Sequence, residues 1–137
     1  MAVELAKEDV EGYVKLLITV LNKATLDTAQ LTPRLSAHLL ESVIAGRQRS
    51  RELAETVTGN IHVHSQRLES AVRIGRNWHV VLLACLDYSE ILREREDGTK
   101  LPAAVGATLP EKRIDVRIDA TSGSREVIDV EDTGASC

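Results

Sequence analysis

Seven apolar residues run without a break from Val80 to Leu86, between His79 and Asp87. A segment with no polar face must be covered on every side. Crossing a membrane takes about 20 such residues, so the run points to the interior of a soluble protein. The cover has to come from Leu, Val, Ile and Ala, because the only aromatics are Tyr13, Trp78 and Tyr88 and there is no Phe. With 43% hydrophobic and 28% charged residues in 137, the chain is sized for one globular domain. That composition excludes a disordered chain, a collagen-like repeat and a supercharged nucleic-acid tail.

Val80 and Val81 would suit a strand, but the flanking residues suggest a longer period. Leu68, Val72, Gly75, Trp78, Leu82, Cys85, Leu86 and Leu92 recur at helical spacing, predicting a helix from about 65 to 96 that Asp97-Gly98 closes. Such an element would be about 48 Å long. A compact domain of this size has a radius of gyration of about 14 Å, so the helix would overhang a single globule.

Two more helical segments precede it. Val10, Tyr13, Val14, Leu17, Ile18 and Leu21 form one apolar face over about Asp9 to Lys23. Thr32-Pro33 supplies a capping hydroxyl followed by proline, a restart signal for a second helix. That helix carries Leu35, Leu39, Leu40, Val43, Ile44, Leu53 and Val57, interrupted by the polar stretch from Arg47 to Glu52. In heptad register Gly46 lies between Leu39 and Leu53, and Ser50 between Val43 and Val57. Gly46 and Ser50 therefore predict a close helix–helix approach. Thr58-Gly59-Asn60 reads as an interruption, and residues 61–64 as a short extended piece.

Beyond a Pro/Gly linker the period changes from 3.6 to 2. Ile114, Val116 and Ile118 alternate with Arg113, Asp115, Arg117 and Asp119; Thr121 to Ser124 reads as a turn, and Glu126 to Glu131 as a second strand. The expected architecture is mainly α: three helical segments with one long central helix, then a C-terminal β-hairpin. The expected organisation is a helical domain (1–98), a linker (99–110), a hairpin (111–132) and a loose tail (133–137). A two-stranded hairpin is marginal alone, so Ile114, Val116, Ile118, Ile128 and Val130 are expected to dock on an apolar surface beyond the helical core.

Chemistry leaves few marks. His62 and His64 would share one side of a strand, yet no further ligands lie near them in sequence, so no metal site is expected. Cys85 and Cys137 are too few for a disulfide framework or a four-thiolate site. Cys85 is expected to be a small buried hydrophobe and Cys137 an exposed terminal thiol able to bridge subunits. No GxSxG, GxGxxG, P-loop or HExxH pattern occurs. Glu94/Glu96 and Glu131/Asp132 are paired acids in polar, exposed-looking surroundings that do not suggest acid–base work. The chain is therefore expected to be neither an enzyme nor a cofactor protein.

Charge is uneven. Residues 34–79 carry net +3, whereas residues 1–33 carry −2 and residues 80–137 carry −5. Arg47, Arg49 and Arg51 raise the question of nucleic acid, but no aromatics are interleaved for stacking and the chain is acidic overall, so nucleic acid is not an expected partner. No secretory signal or membrane span is present, which predicts a cytoplasmic or virion location. No motif carries a family resemblance. These features favour a non-enzymatic, self-associating assembly subunit, in the manner of a phage neck, connector or decoration protein. Its expected interface residues are Gly46, Ser50, Trp78, Leu82, Leu83, Ile114, Val116, Ile118, Ile128 and Val130. The alternative is a small binding module, a transcriptional regulator or a toxin-neutralising partner.

Overall fold

A computed structural model describes residues 2–102 and 109–137. Helix α1 (Ala2–Asn22) leads through a short 3-10 turn to β1 (Arg34–Leu35) and helix α2 (Ala37–Glu52). Then come β2 (Thr56–Thr58), β3 (His62–Ile74), β4 (Asn77–Asp87), β5 (Leu92–Glu94), β6 (Lys100–Pro102), β7 (Pro110–Asp119) and β8 (Arg125–Ser136). A five-stranded sheet has the order β1-β8-β7-β4-β3, and a three-stranded sheet the order β2-β5-β6. The fold is not mainly α: among the described residues strands make up 43% and helical segments 31%.

The expected helix from about 65 to 96 does not form, and this changes the architecture. Residues 62–87 form the antiparallel β3–β4 hairpin, turning at Gly75-Arg76 between paired Ile74 and Asn77. Gly75 has φ +62°, which a two-residue hairpin loop of type II′ requires at its first position. The apolar run is continuous because β4 is central. Val80, Leu82, Ala84 and Leu86 face the helices in the main core. Leu83 and Cys85 face the other way and are also buried. Across the rungs Leu83 lies between Arg67 and Arg113, whose alkyl stems can shield apolar surface while their charges stay in water.

The expected 111–132 hairpin corresponds to β7 and β8, which pair antiparallel. They are not an appendage. β7 is the middle strand of the large sheet and pairs with β4 along nine rungs from Asn77↔Asp119 to Cys85↔Glu111. Ile114, Val116, Ile118 and Val127 join Val10, Val14, Val20, Leu39 and Val43 in one core. The apolar surface that the hairpin needs is supplied by its own chain. Of the expected linker, residues 103–108 lie outside the described residues. The stretch expected as a loose tail contributes Thr133–Ser136 to β8.

The second helix begins later than Thr32-Pro33 suggests. Pro33 is followed by β1, which pairs in parallel with Glu126 and Val127 of β8, so the backbone there is extended. Ser36 is the N-cap: its Oγ accepts from the Leu39 amide at 3.2 Å and donates to the Ile128 carbonyl at 2.6 Å. One hydroxyl thus caps α2 and ties it to the sheet. Gly46 makes no close helix–helix contact, since a Cβ there would have nothing within 4 Å. Gly59 does mark a close approach. It has φ +93°, and a Cβ would overlap the Glu90 carbonyl.

Candidate functional site

The large sheet ends on one side at β1, two residues long, and on the other at β3, thirteen residues long. Among the described residues no strand pairs with the outer edge of β3. A strand of that length extends about 43 Å and presents a row of unpaired amides and carbonyls. Two irregularities interrupt its register with β4, between Val63 and Ser65 and between Leu68 and Ser70. Bulges of this kind blunt an edge against pairing. They leave Ser70 to Ile74 regular, next to the hairpin turn.

That regular stretch is where apolar side chains are left in water. Val72 is 52% exposed and Ile74 62%, and Leu68, at the second irregularity, is 47% exposed. Half of the large hydrophobics that stand well out of the described surface therefore lie on one strand. Opposed residues in an antiparallel pair share a face. Val72 and Ile74, opposite His79 and Asn77, lie on the sheet face away from the helices. Further along that face, ion pairs prevail: Arg113 with Glu69 at 2.7 Å and Glu131 at 3.7 Å, Arg117 with Glu126 at 3.0 Å. The Arg113 hydrogen bond holds the Glu69 carboxyl below its ordinary pKa.

A second concavity lies on the helix side. Tyr13, Leu17, Leu21, Val43, Gly46 and Val57 are among the residues lining an apolar groove of about 350 Å³ between the helices and the small sheet. Tyr88 and Arg93 also border it. Burial pushes the Tyr13 phenol up to about 12 and raises Tyr88 as well, so both stay neutral. The buried Glu55 carboxylate pairs with Arg93 at 3.8 Å and Arg95 at 3.6 Å.

The sequence-derived interface residues do not assemble into one patch. Leu82, Ile114, Val116 and Ile118 are core residues, and Trp78 and Val130 pack against that core. Leu83 is covered on the opposite face. Ile128 sits beside the β7–β8 register shift, its carbonyl taken by Ser36. Gly46 lines the groove, and Ser50 is buried, its hydroxyl donating to the Glu55 carbonyl at 3.4 Å. Sequence reading missed Val72 and Ile74 as exposed residues because it placed both on a helix. The signal was there in the β-branched pair around Arg73, followed by Gly75.

The arginine cluster has structural employment. Arg47 donates to the carbonyls of Val20, Lys23 and Ala24, and Arg51 to those of Lys23 and Ala24. Cations at these carbonyls complement the C-terminal end of α1. His62 contacts Glu90, and His64 falls at the first irregularity of β3. The described His, Cys, Asp and Glu side chains whose ligand atoms converge are instead Cys85, Glu111 and Cys137. Cys85 and Cys137 are joined within the chain as a disulfide with Cα atoms 6.2 Å apart. No helix among the described residues is long and apolar enough to cross a membrane.

No protein-family model matches this chain, and neither does any curated protein or solved structure.

Proposed function

We propose that the protein is a non-enzymatic assembly subunit whose copies join through the outer edge of β3. The observation that carries this reading is the regular, unpaired stretch Ser70–Ile74, with Val72 and Ile74 more than half exposed. The apolar run at Val80–Leu86 no longer argues for a partner, because the chain's own core and its outer-face side chains bury it. The β3 edge takes over that role. A second copy is the fitting occupant, since the segment complements itself. Antiparallel pairing about a two-fold axis at Val72 puts Val72 against Val72 of the other copy, Ser70 against Ile74, and Ala71 against Arg73. Each opposed pair then shares a face, and no like charges oppose one another, whereas centring on Arg73 would set two guanidiniums face to face. The two sheets merge through these five residues, and residues 62–69 of each β3, where the two irregularities lie, stay outside the pairing.

Light scattering across a wide concentration range tests this. The expected mass is twice the 15.0 kDa of one chain, reverting to one chain in Val72→Lys/Ile74→Lys. Val72→Cys should form an intersubunit disulfide on oxidation, because the axis brings the two sulfurs together. A monomeric wild-type protein overturns the proposal, and a dimer without the Val72→Cys bridge overturns the register.

The groove favours a second reading, a binding module that takes an apolar side chain or small apolar molecule against Tyr13 and Tyr88. Its volume lies within the usual range for ligand pockets. Gly46→Leu would fill it. Uptake of an apolar fluorescent probe by the wild type, lost in Gly46→Leu with the oligomeric state unchanged, would favour this reading.

A further inference from the structure

On the sheet face away from the helices, three metal-ligating side chains meet from distant parts of the chain. Cys85 of β4 and Glu111 of β7 are directly opposed, so both side chains leave the sheet on the same face with Cβ atoms about 4.5–5.5 Å apart. Cys137 follows β8. Its amide donates to the Leu109 carbonyl at 2.8 Å, one step beyond the Pro110↔Ser136 rung. From there its side chain reaches across the start of β7 to Cys85. One ligand atom from each of the three lies within 4.8 Å of the other two.

We propose that, when the Cys85–Cys137 disulfide is reduced, the two thiolates and the Glu111 carboxylate bind one thiophilic divalent cation of the zinc class, with water as fourth ligand. The donor set suits such an ion: thiolate sulfur selects it over magnesium or calcium, and a carboxylate oxygen completes a mixed site. Metal–sulfur bonds of about 2.3 Å and metal–oxygen bonds of about 2.0–2.2 Å in a tetrahedron put ligand atoms roughly 3.5–3.8 Å apart. Small side-chain rotations reach that spacing from the present arrangement.

The surroundings are already arranged for the carboxylate. Thr133 Oγ1 donates to Glu111 Oε1 at 3.0 Å, and Arg67 Nη2 lies 3.4 Å from Oε2. Such outer partners fix the orientation of a ligating group. They also balance charge: two thiolates and one carboxylate carry −3, against +2 on the ion and +1 on Arg67. Cys85 is buried and the Glu111 side chain is 13% exposed, while Cys137 is exposed, so the ion has an entry path from the Cys137 side.

The exchange is balanced with a dithiol as reductant. Its two electrons and two protons break the sulfur–sulfur bond and yield two thiols, and the reductant leaves as its own disulfide. The cation then forms two metal–sulfur bonds and one metal–oxygen bond, releasing both thiol protons to solvent. Disulfide and metal are thus alternative fastenings between the end of β8 and β4. This site does not depend on how the β3 edge is used.

Titration of the reduced full chain with cobalt(II) alone, followed by its thiolate-to-cobalt charge-transfer absorption, tests the proposal. Saturation at one cobalt per chain is expected, with displacement by zinc and no band in the oxidised protein. Cys137→Ser, at an exposed position, should lose the charge-transfer band in large part and bind at least about tenfold more weakly, with far-UV circular dichroism unchanged. Glu111→Gln should keep the sulfur band but weaken binding by at least about tenfold, whereas Arg67→Gln should keep the one-to-one stoichiometry. No saturable band in the reduced wild type overturns the site. A ratio of one cobalt per two chains overturns its intrachain construction, and unchanged affinity in Glu111→Gln overturns the part assigned to the carboxylate.

Discussion

The two long hairpins of the large sheet, β3–β4 and β7–β8, are both antiparallel with two register shifts each, and they have opposite legibility. In β7, Ile114, Val116 and Ile118 point into the core while Arg113, Asp115 and Arg117 point out, so the strand period stands plainly in the sequence. β4 lies beside it and is apolar on both faces. Its partner β3 carries Arg67, Glu69 and Arg73 among apolar residues and is mostly exposed. A strand buried on both faces shows no alternation, and an edge strand broken by two irregularities shows a corrupted one. The difference teaches that strand period reports a contrast between faces, and vanishes where both faces share one environment.

Removing one hairpin should have the largest effect. Deleting residues 108–137 takes away the middle strand and its neighbour, and the remaining chain is expected to lose cooperative unfolding altogether. A truncated protein that keeps the parent's melting point would mean that β7–β8 is an appendage after all. Point substitutions sharpen the same question. Leu82→Ala on β4 and Ile114→Ala on β7, both with fully buried side chains, should each cost about 2–5 kcal/mol in urea unfolding. If one costs far less, the hairpins do not share a core.

The disulfide ties β4 to the end of β8 across 52 residues. Cys137→Ser is expected to cost about 2–4 kcal/mol relative to the oxidised parent, read from urea unfolding with the slope fitted separately for each protein. Gly46→Leu, on a helix face that borders open space, should raise stability by about 1 kcal/mol through helix propensity. A loss would restore the close contact that the sequence pattern suggested. Val72→Lys on β3 should change the stability of the isolated chain by less than about 0.5 kcal/mol, whereas a lysine at Val80 on β4 should unfold it.

The smallest effect concerns Asp9, a buried carboxylate on α1. Burial raises its pKa above the ordinary 3.8, opposed by the Arg125 guanidinium 3.4 Å away. A folded-state pKa above the unfolded one contributes stability that is complete below the unfolded value and is lost as pH rises through the folded value. Asp9→Asn should therefore flatten the pH–stability curve just above pH 3.8. An NMR titration placing Asp9 below its ordinary pKa would reverse this sign.

Single elements were visible, although the expected mainly α architecture was wrong. The apolar face from Val10 to Leu21 located α1, and the alternation from Arg113 to Asp119 located β7, because each element has one wet and one dry face. The candidate interface was not visible, since Val72 and Ile74 look like any apolar pair until their partner strand is known. The Cys85–Glu111–Cys137 cluster was equally hidden, because only the β4–β7 and β7–β8 registers bring residues 52 apart into contact.

By itself the sequence determined that the run Val80–Leu86 had to be covered on every side, and that the cover would be aliphatic. Whether it would be a helix or a strand was decided by tertiary structure. A seven-residue apolar run buries about equally well in either form, and the neighbouring strands β3 and β7 supply the backbone hydrogen bonds that make it a strand.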